Sequence, residues 1–286
     1  MKVNSEIGDD PPQLDISGFQ NLPGCAKQRV YRPKPTHADN LGVPPAIPPV
    51  PENIPTFSCP DTAVPLMNPP HSDLLNVNNM LLQKLTGGFK VFPPRHGQRI
   101  YRKTKPTALL DSIVSDMERE GMLLRTNQLA CAIPWFLVAK PSGAARLICD
   151  YSMWTNHYKI PPMELKNIPI VLTSSSAQDF AVKIDLRSGF FQLPLHPTCW
   201  KYHGLHYGDT KYVFTRLPMG NSLSPYVMQR TSEALLATLA EIYDFQLATH
   251  AYLDDRLIIS RSPALLTHVV KYIKCSVTIN ESKSVL

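Results

Sequence analysis

Long apolar runs are missing from this sequence. No uninterrupted stretch approaches the roughly 18 residues that a membrane-spanning helix needs, and Met1-Lys2-Val3-Asn4-Ser5-Glu6 is not followed by the apolar segment of a secretory signal. A soluble intracellular chain, cytoplasmic or nuclear, with no membrane partner is expected. Cysteine is sparse as well. The six, Cys25, Cys59, Cys131, Cys149, Cys199 and Cys275, never fall at C-x-x-C spacing, which argues against a zinc site or a disulfide framework and for reduced thiols. No internal repeat is found.

With 286 residues and 43% apolar composition the chain has enough material for a core in one or two domains. Proline is abundant and unevenly placed: 17 of 28 fall in residues 1–100, clustered at Pro44-Pro45, Pro48-Pro49-Val50-Pro51 and Pro69-Pro70. Proline removes backbone donors and interrupts helices, so residues 1–90 are expected to form an extended or disordered leader with a short ordered segment near Leu74–Leu85. A linker inside a longer polyprotein and a docking arm are both open readings of it. Charge divides along the same line: residues 101–286 carry 20 Lys and Arg against 15 Asp and Glu, whereas residues 1–100 carry 9 against 8. A basic excess fits a phosphate-backbone partner; it is also common in proteins that bind none, because net charge speaks to association and not to fold.

From Thr107 the pattern changes. Leu109, Leu110, Ile113, Val114 and Met117 recur at helical spacing and Gly121 supplies a stop. Apolar Cys131–Val138, a turn at Lys140-Pro-Ser-Gly143 and Ala145–Cys149 read as a hairpin. Phe180–Ile184 is a short strand ending at Asp185, and Tyr212–Leu217 is another. Ser224-Pro225 reads as a cap followed by a helix to about Ile242. Strands His250–Leu253 and Leu257–Ser260 flank Asp254-Asp255.

Extending a nucleic-acid strand builds negative charge on both the attacking and the leaving oxygen, and two divalent ions stabilise both ends at once. Such ions take oxygen ligands, chiefly carboxylates and main-chain carbonyls. One Asp at a strand end and two more at the tip of an adjacent hairpin would build that site, and Asp185 with Asp254-Asp255 supplies both parts. Each part alone also reads as local structure, since Asp favours turns and strand ends.

Five segments in order resemble the motifs of retroelement reverse transcriptases over residues 107–286. Gly121–Arg125, Ile133–Gly143 and Arg146–Tyr151 resemble the family's fingers hairpin, where the bases matching Lys140 and Arg146 contact the phosphates of the incoming nucleotide. Val182–Pro197 is similar to the motif bearing the first catalytic carboxylate, Asp185. The resemblance places the Leu186 carbonyl among the metal ligands and Phe190 at the ring that abuts the sugar and excludes a ribose hydroxyl, while core packing is the other reading of Phe190. Arg216–Pro225 resembles the turn in which Gly220 lets backbone approach closely and Met219 lines the nucleotide pocket. Ala251-Tyr252-Leu253-Asp254-Asp255 matches the Tyr-x-Asp-Asp box. Val277–Lys283 is similar to the segment whose lysine, here Lys283, is held to protonate pyrophosphate.

The resemblance implies an α+β right-hand fold with fingers at about 95–165 and 196–221 and an antiparallel palm sheet backed by helices at about 166–195 and 222–286. No thumb is expected within the chain. It implies RNA-directed DNA synthesis with two divalent ions, Mg²⁺ or Mn²⁺, and an RNA template, a DNA or RNA primer and deoxynucleoside triphosphates as partners, alongside other domains of a retroelement polyprotein. Arg256 departs from the family's usual apolar residue, and a cation beside Asp255 is expected to compete with metal. A truncated, inactive product that only binds nucleic acid or a partner is the rival reading, and an RNA-directed RNA polymerase is a third.

Overall fold

A computed structural model describes residue 85, residues 87–94, 102–139 and 145–158, and residues 160–285 other than 161, 164, 166–170, 172, 174 and 245. The elements begin with β1 (Lys103–Thr104), α1 (Ala108–Arg119), β2 (Leu123–Arg125), β3 (Trp135–Ala139), β4 (Ala145–Cys149) and α2 (Ser152–Thr155). After β5 (Phe180–Asp185) and a 3-10 turn at Gly189–Gln192 come α3 (Pro197–Trp200), β6 (Gly204–Tyr207) and β7 (Thr210–Phe214). The last are α4 (Leu223–Ile242), β8 (Ala248–Tyr252), β9 (Asp255–Ser260) and α5 (Pro263–Ser276).

Two compact units are distinguished. The first comprises Gly87–Pro161 and Leu193–Tyr226, and the second Pro162–Gln192 and Val227–Leu286. In the first, four strands run in the order β1-β6-β7-β2, with β1 parallel to β6 and the rest antiparallel. The expected hairpin forms, β3 antiparallel to β4 from Trp135↔Cys149 to Ala139↔Ala145; its expected turn, with Lys140, lies outside the described residues. α1 begins where Thr107 accepts the Leu110 amide and buries Val114 and Met117. Gly121, with φ at 69°, follows its C-terminal cap.

The core of this unit holds Leu123, Ile133, Tyr151, Trp154, Leu205 and Phe214. It also holds His203, whose Nε2 donates to the Val91 carbonyl at 2.7 Å, leaving Nδ1 to accept from the Tyr151 hydroxyl at 2.9 Å. Burial pushes this imidazole down to about 4. Of the leader expected over 1–90, Leu85 and Gly87–Lys90 are described: Leu85 and Phe89 are buried, and Phe89 bridges Leu195. Residues 1–84 and 86 lie outside the described residues.

The second unit is built on an antiparallel sheet in the order β5-β9-β8, and α5 packs against β9 and β5. Alternation along β5 buries Val182 and Ile184 and leaves Lys183 exposed and Asp185 half-buried. The C-terminal segment lies on the free edge of β5, bridging Val285 to Lys183 and Ile279 to Leu186. Gln192 fastens it, its amide nitrogen donating to the Thr278 carbonyl at 2.7 Å and its oxygen accepting from the Thr278 amide at 3.2 Å.

Several boundaries differ from the sequence expectation. α4 starts at Leu223, not after Ser224-Pro225, because Asn221 Oδ1 accepts the Leu223 amide at 2.9 Å while the Ser224 hydroxyl donates to the Pro218 carbonyl. β7 spans Thr210–Phe214 and not Tyr212–Leu217: the Leu217 amide leaves the ladder for the Leu193 carbonyl. β8 starts earlier, at Ala248, and Asp255 is the first residue of β9.

Candidate active site

The second unit brings Asp185, Asp254, Asp255 and Lys283 together. β5 and β9 set Asp185 and Asp255 directly opposite each other. Asp254 sits in the turn between β8 and β9, after Leu253, which takes φ of 56°. α4 holds that turn through two side chains. Gln229 Oε1 accepts the Leu253 amide at 2.7 Å and its nitrogen donates to the Ala251 carbonyl at 3.0 Å, while the Ser232 hydroxyl donates to the Leu253 carbonyl at 2.9 Å. A strained αL residue persists only when its surroundings hold it. Gly189 completes the arrangement: a Cβ there would lie 2.6 Å from the Asp254 Cβ, so only glycine admits Asp254 at this depth.

Burial, followed by the charges of Asp185 and Asp255, raises the Asp254 carboxyl above its ordinary value, and Lys283 works in the other direction. Lys283 Nζ stands 3.9 Å from Asp185 Oδ2 on an otherwise exposed side chain. The Leu186 amide donates to the Asp254 carbonyl at 3.3 Å, and the bridge to Ile279 is made by the Asp185 carbonyl and the Arg187 amide and not by the Leu186 carbonyl.

The expectation for Arg256 is corrected. Strand alternation turns it to the opposite face of the sheet from Asp255, where it is 2% exposed. Its Nε and Nη2 have no hydrogen-bond partner, and burial pushes the guanidinium down to about 10 against the opposing pull of the Asp254 charge, so its influence falls on Asp254 and not on Asp255. The cation that engages Asp255 is Lys183, two residues before Asp185 on the same face, with Nζ 3.1 Å from Oδ1. The contact is an ion pair out of line for a hydrogen bond, and Oδ1 is otherwise buried without a partner.

These residues fit a hard divalent cation in donor chemistry: an oxygen-only set in which burial and neighbouring charge disfavour the ionised form of Asp254, with an orphaned carboxylate oxygen, Asp255 Oδ1, beside it. Asp185, Asp254 and the Leu186 carbonyl are the donors available. Among the described residues no group of three Asp, Glu, His or Cys side chains converges into a cage.

Phe190 is half-buried in the 3-10 turn, whereas Phe191 beside it is buried, so the core member of the pair is Phe191. Arg146, Met219 and Gly220 belong to the first unit. Arg146 is exposed on β4 opposite Val138. The Met219 carbonyl accepts the Cys149 amide at 2.9 Å. At Gly220, φ is 113° and a Cβ would collide with the Cys149 carbonyl, which accounts for glycine there. Sequence reasoning missed Lys183, Gly189, Gln229 and Ser232. Lys183 was accessible from strand alternation; the others act through contacts distant in sequence.

A family model described as reverse transcriptase (RNA-dependent DNA polymerase) matches residues 143–285. The chain is 24% identical over 170 residues to the Pro-Pol polyprotein of Simian foamy virus type 1, covering 59% of this chain and 14% of that one. It is 30% identical over 129 residues to Protein P of Duck hepatitis B virus (strain China), covering 43% of this chain and 16% of that one. It therefore spans a small part of the length of these relatives. A foamy viral protease-reverse transcriptase solved with double-stranded DNA is similar with a TM-score of 0.55 and 20% identity over 68% of this chain and 35% of that one. One solved with an RNA/DNA hybrid has a TM-score of 0.52 and 19% identity over 68% and 27%. At that identity the likeness speaks to the fold, a mixture of helices and sheets like that of the viral enzymes. The carboxylates of β5 and the β8–β9 turn lie within the matched residues, and the chain belongs to the reverse transcriptase family.

Proposed function

We propose that this chain carries the polymerase site of an RNA-directed DNA polymerase from a retroelement or retrovirus-like element, adding deoxynucleotides to a primer 3′-hydroxyl. The observation that carries the reading is the placement of Asp254, between Asp185 and Asp255 in charge and close against Gly189. Asp185, Asp254 and the Leu186 carbonyl would hold divalent ions, Mg²⁺ or Mn²⁺, and Asp255 would join them on release from Lys183. Bound there, two such ions would supply neutralisation of the charge developing on the attacking and leaving oxygens.

The remaining roles belong to side chains of this chain. Lys283, beside Asp185, would serve as the acid toward a departing pyrophosphate. Phe190 offers a half-exposed ring against a sugar, and a bulky ring there rejects a 2′-hydroxyl. By the resemblance, Arg146 and Lys140 would contact triphosphate oxygens. An RNA template, a DNA or RNA primer and deoxynucleoside triphosphates follow as partners; the relatives solved with double-stranded DNA and with an RNA/DNA hybrid support the nucleic-acid partners. A binding-only remnant of a retroelement polyprotein is the second reading, and the hold of Lys183 on Asp255 is the observation that favours it.

The experiment is incorporation of labelled deoxy- and ribonucleotides on an RNA template with a DNA primer, comparing the wild type with Phe190→Val. Deoxynucleotide-selective synthesis whose selectivity falls in the variant is expected. Nucleic-acid binding without synthesis in either metal would establish the remnant, and unchanged selectivity would return Phe190 to the core.

A further inference from the structure

Between its two bridges to β5 the C-terminal segment does not follow the strand. Residues 184–185 on the β5 side face residues 280–284 on the other, because Val285 bridges Lys183 and Ile279 bridges Leu186. The excess forms a turn that projects from the sheet edge, and Lys283 is on it. A looped-out segment of this kind has no ladder to fix it, so its position depends on the contacts at its base.

Those contacts converge on one residue. The Asn280 amide donates to the Asp185 carbonyl at 2.7 Å. The Asp185 amide donates to the Ser284 hydroxyl at 3.2 Å, and that hydroxyl donates onward to the Asn280 carbonyl at 2.9 Å. The same Asn280 carbonyl accepts the amides of Lys283 and Ser284 at 3.1 and 3.0 Å. Ser284 thus stands in for the missing backbone acceptor opposite Asp185 and closes a loop of hydrogen bonds that includes Lys283. Both main-chain polar groups of Asp185 are committed to this turn, and Lys283 Nζ lies 3.9 Å from its side chain.

We propose that Ser284 is a positioning residue that latches the Lys283 turn to the main chain of Asp185, so that the lysine and the carboxylate move as one unit during nucleotide addition. The proposal rests on the polymerase reading above. A hydroxyl is needed because the position must accept from one amide and donate to one carbonyl at once, which alanine cannot do and threonine can.

The test uses the full chain with Ser284→Ala, Ser284→Thr and Lys283→Ala, and the double variant Ser284→Ala/Lys283→Ala. Two readouts are taken: hydrogen exchange of the Asp185 amide, without nucleic acid or metal, and single-turnover deoxynucleotide incorporation. Ser284→Ala is expected to speed exchange at Asp185 and to lower the rate of incorporation about fivefold to tenfold, with nucleotide affinity unchanged, from the loss of one hydrogen bond. Ser284→Thr restores both. In the Lys283→Ala background, Ser284→Ala is expected to lower the rate no further, since the two act through one path.

Unchanged exchange at Asp185 would overturn the latch whatever the activity. Equal rate losses with and without Lys283 would overturn the link to the lysine. A wild type that incorporates nothing under any condition would sink the polymerase reading and, with it, the catalytic half of this one; the exchange readout would still decide whether the latch exists. Circular dichroism and thermal melting identify a variant that fails to fold, in which case the Ser284→Thr comparison decides.

Discussion

Asp185 and Asp255 face each other directly across the β5–β9 ladder, the last rung of that pairing. Like charges so placed weaken a sheet, and Lys183, diagonal to Asp255, is the compensation built into the chain. The crowding extends to Asp254, whose carboxyl is raised by burial and by both neighbours. A raised folded-state value means that the folded protein binds this proton more tightly than the unfolded one. Stability therefore falls as pH climbs from the unfolded value through the raised one, and the ionised side chain opposes folding at neutral pH. Asp254→Asn is expected to raise the melting temperature of the metal-free protein at pH 7 and to flatten its acid-side pH dependence. Millimolar Mg²⁺ or Mn²⁺ should stabilise the wild type and leave Asp185→Asn/Asp254→Asn unmoved. Equal metal shifts in both proteins would place the ion elsewhere.

Arg256 offers a test of the sheet's other face. A guanidinium that is 2% exposed with two unpartnered nitrogens is a liability to folding. Arg256→Leu is expected to stabilise the protein by about 1–2 kcal/mol in urea unfolding, with the Lys183 to Asp255 contact intact. A loss of stability would mean that the charge interaction of the guanidinium with Asp254 outweighs the cost of burying it.

The two constrained glycines should separate fold from site. Gly220 combines a left-handed backbone with a collision against the Cys149 carbonyl, so Gly220→Ala should cost on the order of 3 kcal/mol of stability. Gly189 meets the Asp254 side chain. Gly189→Ala should displace that carboxylate and remove activity with a smaller loss of stability. The reverse ordering in chemical denaturation would contradict both placements.

His203 sets an acid limit on the first unit. Its folded value of about 4 lies below the ordinary 6.5, so the unfolded state takes up the proton first as pH falls. Stability present above pH 6.5 is then lost progressively down to about pH 4, by on the order of 3 kcal/mol. His203→Gln should be less stable at pH 7 and lack that part of the dependence. An unchanged slope between pH 6.5 and 4 would show that another group supplies it.

Local pattern carried much of this fold. The period of Leu110, Val114 and Met117, the alternation around Val182 and Ile184 and the apolar flanks of Asp254-Asp255 each mark an element that forms. Boundaries were less legible where a side chain substitutes for backbone, as Asn221 does at the start of α4. The candidate carboxylates were legible because they mark strand boundaries: Asp185 ends β5, and Asp254-Asp255 lie between two apolar runs. Their supports were not: Gln229 holds the turn from 24 residues away and Ser284 meets Asp185 across 99. Arg256 was misread for a related reason, since adjacency in sequence along a strand means opposite faces.

Incorporation of labelled deoxynucleotide on an RNA template with a DNA primer, in Mg²⁺ and in Mn²⁺, comparing the wild type with Asp254→Asn, tests the central claim most directly. Incorporation by the wild type and a loss of about three orders of magnitude in a variant that still folds and still binds the duplex is the outcome expected of a residue acting on developing charge. Incorporation at the wild-type rate by Asp254→Asn would contradict the assignment of this turn as the centre of the chemistry.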